Sequence, residues 1–171
     1  MKRSRTSHFQ GDGDEGPRSQ FGALCWRMHR GRAEVLLITS RDTGRWVIPK
    51  GWPIAGKDPA QSAAQEAWEE AGVTGASGHE ALGLYAYAKT RRTKEALPCV
   101  VTVYPLRVEA LAARFPERKE RRRRWFAADR AARLVDEPEL RALLQGIADD
   151  PGTLEPSSQR AGAATGAVAS A

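Results

Sequence analysis

Residues 51–73 read GWPIAGKDPAQSAAQEAWEEAGV. The second half of this stretch carries the marks of a short helix closed at both ends. Asp58 supplies an N-cap oxygen, Pro59 suits the first helical position, and Gln61 stands where a capping box places an amide or acid. Gly72 suits a C-terminal stop. Between those ends Glu66, Glu69 and Glu70 fall at i, i+3 and i+4. At about 100° per residue they share one helix face. Ala60, Ala64, Ala67, Trp68 and Ala71 fall opposite. That stripe of mostly small side chains lets the helix lie close on a sheet.

Three carboxylates on one face repel, at a cost of about a few tenths of a kcal/mol for each i, i+4 pair. A divalent cation would offset that, and hard oxygen ligands suit Mg²⁺ or Mn²⁺. The competing reading is a solvated acidic face. The glycine-containing turn before the helix favours the metal. Gly51 allows a backbone carbonyl to approach an ion, and Lys50 beside it can reach a phosphate. Spacing alone does not separate metal ligand from general base among the three glutamates.

The stretch resembles the Nudix box of the Nudix hydrolases. Gly51, Glu66, Ala67, Glu69, Glu70, Gly72 and Val73 fall in register with that pattern. Lys57 stands where the pattern has Glu, and Gln65 where it has Arg. The resemblance implies an α/β/α sandwich, the Nudix fold, with a mixed β-sheet, the box helix and a C-terminal helix. It also implies that the Gly51 carbonyl, Glu66 and Glu70 hold Mg²⁺, with Mn²⁺ as a substitute, and that Glu69 takes the proton of the attacking water. Gln65 could orient a box glutamate only through a neutral hydrogen bond.

Flanking segments are similar to the diphosphoinositol polyphosphate phosphohydrolase branch. These are EVLLITSRDTGRWVIPKG before the box, the basic loop KTRRTKE at 89–95, and ERKERRRRWF at 117–126. The branch places substrate contacts near Arg18, Ser40, Arg41, the loop cations Lys89, Arg91 and Arg92, and Arg121. The implied activity is metal-dependent hydrolysis of a P–O–P bond. Its substrate would be a polyphosphorylated small molecule, an inositol pyrophosphate or a diadenosine polyphosphate. A nucleoside di- or triphosphate hydrolase is the second enzymatic reading. It needs an aromatic base-stacking pocket, which the sequence does not single out. Lys57, Gln65 and the arginine run motivate a third reading, a non-catalytic Nudix-fold module that binds nucleotide or RNA. A three-carboxylate face has little use in binding a polyanion without a metal, so hydrolysis leads.

The rest of the chain is arranged around this stretch. Its 171 residues suggest one domain, over 18–150, between a flexible tail at 1–17 and a disordered Ala/Gly/Ser-rich tail at 151–171. Lys and Arg outnumber Asp and Glu by 27 to 21, a net charge of +6. That suits anionic partners, whether phosphates, nucleic acid or an acidic membrane face, without choosing among them; the resemblance implies a polyphosphorylated small molecule, with neither nucleic acid nor membrane expected. No apolar run is long enough for a membrane span, and no signal-peptide pattern opens the chain. Cys25 and Cys99 lie in apolar runs, which suggests buried thiols and a reducing cytoplasm.

Strands are expected over 21–27 and 34–39, around the turn His29-Arg30-Gly31, and over 45–48, 81–88 and 99–108. The loop 89–95 should tip a hairpin, and a short helix is expected over 111–115. The arginine run should enter a strand at Trp125-Phe126 with alternate arginines outward. Its alternative is a solvated or nucleic-acid-binding face. Two helices follow, over 129–135 and 137–148, the second opened by a capping box of Asp136 and Glu139.

Overall fold

The computed structural model describes residues 16–90 and 96–159. Eight strands form one sheet: β1 (Arg18–His29), β2 (Arg32–Thr39), β3 (Trp46–Val47), β4 (Lys50–Gly51), β5 (Val73–Ser77), β6 (Gly83–Thr90), β7 (Ala96–Leu111) and β8 (Arg123–Ala127). The main path runs β3-β2-β1-β7-β5, with β4 beside β1, β6 beside β7 and β8 beside β2. β1 and β7 are parallel from Arg18↔Cys99 to Trp26↔Arg107, and every other pair is antiparallel. The sheet is therefore mixed.

Alternation along β1 and β2 divides the core into two layers. Ala23, Cys25, Leu36 and Ile38 point to one face. There they meet Ala63, Ala67 and Ala71 of helix α1 (Pro59–Ala71). Leu24, Trp26, Val35 and Leu37 point to the other. They meet Ala131 and Ala132 of α2 (Ala128–Leu134) and Leu140, Leu144 and Ile147 of α3 (Pro138–Asp149). Helices thus cover both faces of the sheet, as expected of an α/β/α sandwich. The alanine side of α1 is what brings its carboxylate side close to the strand ends.

Several expectations need correction. No helix occupies 111–115. β7 runs on to Leu111 because Val73 pairs with it, and the Ala112 N–H then bonds the Gly72 carbonyl at 2.8 Å. β5 itself, VTGAS, carried too weak an apolar pattern to be foreseen. The Asp136 capping box does not form. The N-cap of α3 is Glu137, whose side chain makes no cap bond and instead meets Arg45 at 2.6 Å. The ordered chain also continues past residue 150. Pro151–Leu154 forms a 3-10 turn and Leu154 joins the core, an apolar anchor inside an otherwise Ala/Gly/Ser-rich composition. In the arginine run the alternation holds: Arg122 and Arg124 are exposed, while Arg121 and Arg123 turn inward.

Candidate active site

α1 is set by its ends. The Gln61 N–H donates to Asp58 Oδ1 at 2.8 Å, and the Asp58 N–H donates to Gln61 Oε1 at 3.0 Å. Gly72 closes the helix at φ 65°, a left-handed conformation that suits glycine. This fixes the register that turns Glu66, Glu69 and Glu70 toward β4 and the arginine run.

Gly51 is the second fixed point. β4 is pinned to β1 through Phe21↔Gly51 and Gly22↔Lys50. A Cβ at residue 51 would lie 2.2–2.6 Å from the Glu66 carboxylate atoms. Only glycine lets Glu66 rest against the backbone there. Two bonds hold Glu70: the Lys50 N–H donates to its Oε2 at 3.3 Å, and Arg121 Nη2 donates to its Oε1 at 3.0 Å. Gln65 Nε2 donates to Glu69 Oε1 at 2.9 Å, so the residue that departs from the box pattern still orients a box glutamate.

The electrostatics follow from depth. Burial pushes the Glu70 carboxyl up to about 7, against the opposing pull of Arg121 and then Lys50. Burial also draws the Lys50 ammonium below its usual value, with Glu70 resisting. Lys50 Nζ sits 5.1 Å from the centre of the Tyr87 ring, and the Tyr87 hydroxyl donates to buried Gln20 at 2.6 Å. On the neighbouring loop Trp52 is 38% exposed, with Lys89 Nζ 5.1 Å from its ring centre.

The candidate donors, the carboxylates of Glu66, Glu69 and Glu70 and the Gly51 carbonyl, are hard oxygens of the kind Mg²⁺ or Mn²⁺ takes, and the space beside Gly51 is filled by the Glu66 carboxylate itself. Among the described residues no three His, Cys, Asp or Glu side chains converge at ligand spacing. Glu66 turns to Gly51, Glu69 to Gln65 and Glu70 to Arg121. Holding an ion would take rotation of these side chains toward one another.

Direct contacts link Lys50 to Glu70, Gly51 to Glu66 and Glu70 to Arg121, with Glu69 on the same helix. Arg41 reaches the group indirectly, through Glu120 at 3.1 Å and Glu117 at 3.5 Å. Arg18 and Lys89 are exposed at the same end of the sheet, on strands flanking Cys99 and Leu97 of β7. The Ser40 hydroxyl is engaged with that of Thr43 at 2.7 Å. Lys57 is exposed in a turn closed by its N–H to the Ile54 carbonyl at 3.1 Å. Arg91 and Arg92 lie outside the described residues. A cleft of about 300 Å³ between Pro105 and Leu154 shares none of these residues and has no part in the site.

Sequence reasoning missed Trp52, Tyr87, Gln20 and Glu117. An exposed tryptophan directly after the metal-loop glycine was the signal available for the first. The other three become visible only when distant strands are joined.

A model of the NUDIX domain matches residues 17–146. Diphosphoinositol polyphosphate phosphohydrolase 3-beta of Homo sapiens is 29% identical over 123 residues, 71% of each chain. Nudix hydrolase 16, mitochondrial, of Arabidopsis thaliana is 29% identical over 158 residues, 84% of this chain and 87% of that one. Among solved structures, the C. elegans Ap4A hydrolase superposes with a TM-score of 0.56 at 20% identity, covering 78% of this chain and 98% of its own. The NUDIX domain of Shewanella oneidensis NrtR, complexed with ADP ribose, gives 0.59 at 14% identity, covering 81% and 93%. These two structural likenesses speak to the fold alone.

Proposed function

Because the chain belongs to the Nudix family and is a hydrolase of phosphoanhydride bonds, we propose that it cleaves a polyphosphorylated small molecule at a P–O–P bond with a divalent metal, Mg²⁺ or Mn²⁺. The observation that carries this reading is Glu66 seated on the Gly51 backbone, where no Cβ fits, with Glu69 and Glu70 beside it. Glu66, Glu70 and the Gly51 carbonyl would hold the metal. When bound, it supplies positive charge to the phosphoryl oxygens and lowers the pKa of a water.

The chain's own groups do the rest. Glu69, held by Gln65, accepts a proton from the attacking water. The water oxygen bonds to one phosphorus, the bond to the bridging oxygen breaks, and that oxygen departs with the other phosphate. Lys50, Lys89 and Arg18 supply cations for the remaining phosphates, with Ser40 and Arg41 as outer contacts, and Arg91 and Arg92 are further expected contacts. The likeness to a diphosphoinositol polyphosphate phosphohydrolase makes an inositol pyrophosphate the first candidate.

One feature favours a nucleotide-bearing substrate instead. Trp52, exposed beside the metal loop, offers the flat aromatic surface a base would stack on, and Lys89 is close enough to meet its phosphates. A diadenosine polyphosphate satisfies both the cations and the tryptophan. Two free, buried thiols, Cys25 and Cys99, fit the cytoplasm, and no helix among the described residues is long and apolar enough to cross a membrane.

The test is phosphate release by the full chain from inositol pyrophosphates, diadenosine polyphosphates, nucleoside triphosphates and a nucleotide sugar, with EDTA and with restored Mg²⁺ or Mn²⁺. Metal-dependent turnover of the first two classes is expected. Turnover of mononucleotides alone would replace the substrate class, and turnover undiminished by EDTA would remove the metal from the mechanism.

A further inference from the structure

We infer that Arg121, from the loop before β8, is the cation that positions Glu70 in the active site, in place of the basic residue that the box helix lacks at position 65. The inference rests on the metal-dependent reading above.

Gln65 is neutral and its side-chain bond goes to Glu69. Glu70 is left with a backbone N–H and a side chain only 10% exposed. A carboxylate at that depth needs a cation. Arg121 supplies it, with its own side chain 8% exposed. Its guanidinium is fixed on three sides: Nη2 on Glu70 at 3.0 Å, Nε on Glu117 at 2.6 Å, and Nη1 on the Thr39 carbonyl at 3.1 Å. The backbone beside it is clamped as well. The Thr39 N–H donates to the Arg122 carbonyl, and the Arg122 N–H donates to Thr39 Oγ1, each at 2.9 Å.

A guanidinium tied down in this way cannot swing to a substrate without leaving Glu70 and Glu117 behind. The branch resemblance gave Arg121 a substrate contact, whereas its geometry makes it a positioning residue. It leaves Glu70 usable. A carboxylate offers about four lone-pair positions, and Arg121 and the Lys50 N–H take one each. Glu117 extends the same arrangement outward to Arg41 at 3.5 Å. The planar fork of arginine suits this three-way contact, and lysine cannot reproduce it.

The test measures Mn²⁺ affinity of the substrate-free full chain, by electron paramagnetic resonance or calorimetry, beside steady-state kinetics at saturating Mn²⁺. Arg121→Gln should weaken Mn²⁺ about 10–100-fold, the usual effect of removing a partner of a metal ligand. It should lower kcat while leaving KM for the polyphosphate nearly unchanged. Arg121→Lys should recover only part of the loss. Glu117→Gln removes an anchor of Arg121 together with a negative charge near Glu70, so the lost positioning should show as a lower kcat at saturating Mn²⁺ with KM nearly unchanged. It decides the matter if Arg121→Gln does not fold.

A raised KM with unchanged or tighter Mn²⁺ binding in these variants would overturn the inference and return Arg121 to the substrate. Unchanged values of both in the Arg121 variants, or an unchanged kcat in Glu117→Gln, would also overturn it. A wild-type chain that binds no Mn²⁺ would overturn the metal reading itself. Binding by wild type that the Arg121 variants leave intact sinks only the role of Arg121.

Discussion

Helix α1 and the arginine run 117–126 are both short, highly charged segments, and they face each other across the site. In α1 the cap and the Gln65–Glu69 bond are local pairings. Asp58 and Gln61 are three residues apart, and Gln65 and Glu69 four. In the run, Arg121 finds Glu70 at a separation of 51 residues, and Arg123 finds the Ala71 carbonyl at 52. A charge whose partner lies within one helical turn can be placed from sequence. A charge whose partner lies across the sheet looks solvated until the sheet is built.

The largest effect should come from the side that looked clearest. Glu69→Gln replaces the proposed proton acceptor with a neutral isostere and should lower kcat about 10²–10⁴-fold. Its unfolding midpoint should stay near that of wild type, since the amide can still meet Gln65. Full activity in this variant would reduce the acidic face of α1 to solvated charge and erase the contrast with the run.

Next is the contact between the two segments. The Glu70 carboxyl sits at about 7 in the folded, metal-free chain, above its ordinary value of 4.5. Between those values the folded state binds more protons than the unfolded one, so stability falls as pH rises. The unfavourable contribution is complete above pH 7 and fades toward pH 4.5, at most about 3 kcal/mol in all. Urea unfolding in EDTA from pH 8 to 5 should show wild type gaining on Glu70→Gln as pH falls. A constant difference would mean that Glu70 titrates as an ordinary carboxylate and that its burial does not set its charge.

The same division by distance explains what is legible in the sequence. The box helix, its caps, the glycine cradle and the strands of β1 and β2 were legible because period and turn residues are short-range signals. The length of β7 was not. Its 16 residues are set by three neighbours, β1, β5 and β6, so Leu111 continues a strand where its own segment suggested a helix. The start of α3 was misplaced by one residue for the same reason. Asp136 has the better capping chemistry, yet its side chain is 71% exposed, and the buried Glu137 is drawn to Arg45 on the loop before β3. Trp52 was legible as a residue but not as a platform, because Lys89 reaches it from another strand.

Within the arginine run, inward and outward members should separate cleanly. Arg123 donates to the carbonyls of Ala71 at 2.5 Å and Ala112 at 2.8 Å and lies 4.8 Å from the Phe115 ring centre. It therefore closes the C-terminal end of α1, whose last carbonyls no other helical turn satisfies. Arg123→Ala should cost about 2 kcal/mol, the scale of a charge-assisted hydrogen bond left unmade. Arg124→Ala, at an exposed position over Phe126, should cost less than about 0.5 kcal/mol. Equal losses in denaturant titrations would show that alternation in the run carries no energetic meaning.

A loss smaller than that at Arg123 tests the local side of the comparison. Asp58→Ala removes the oxygen that caps the Gln61 N–H while keeping the backbone N–H that the Gln61 side chain accepts from, and should cost about 1 kcal/mol. Asp58→Ser keeps an acceptor and should recover most of it. The two variants also separate the cap from the approach of His79 at 3.7 Å, a pair whose side chains are 70% and 43% exposed. Such an exposed pair contributes little, and serine removes it while sparing the cap. If Asp58→Ser were as unstable as Asp58→Ala, the cap would not be what holds that end. The start of α1 would then depend on its contact with the β5–β6 segment, and even the most local-looking feature of the site would prove to be tertiary.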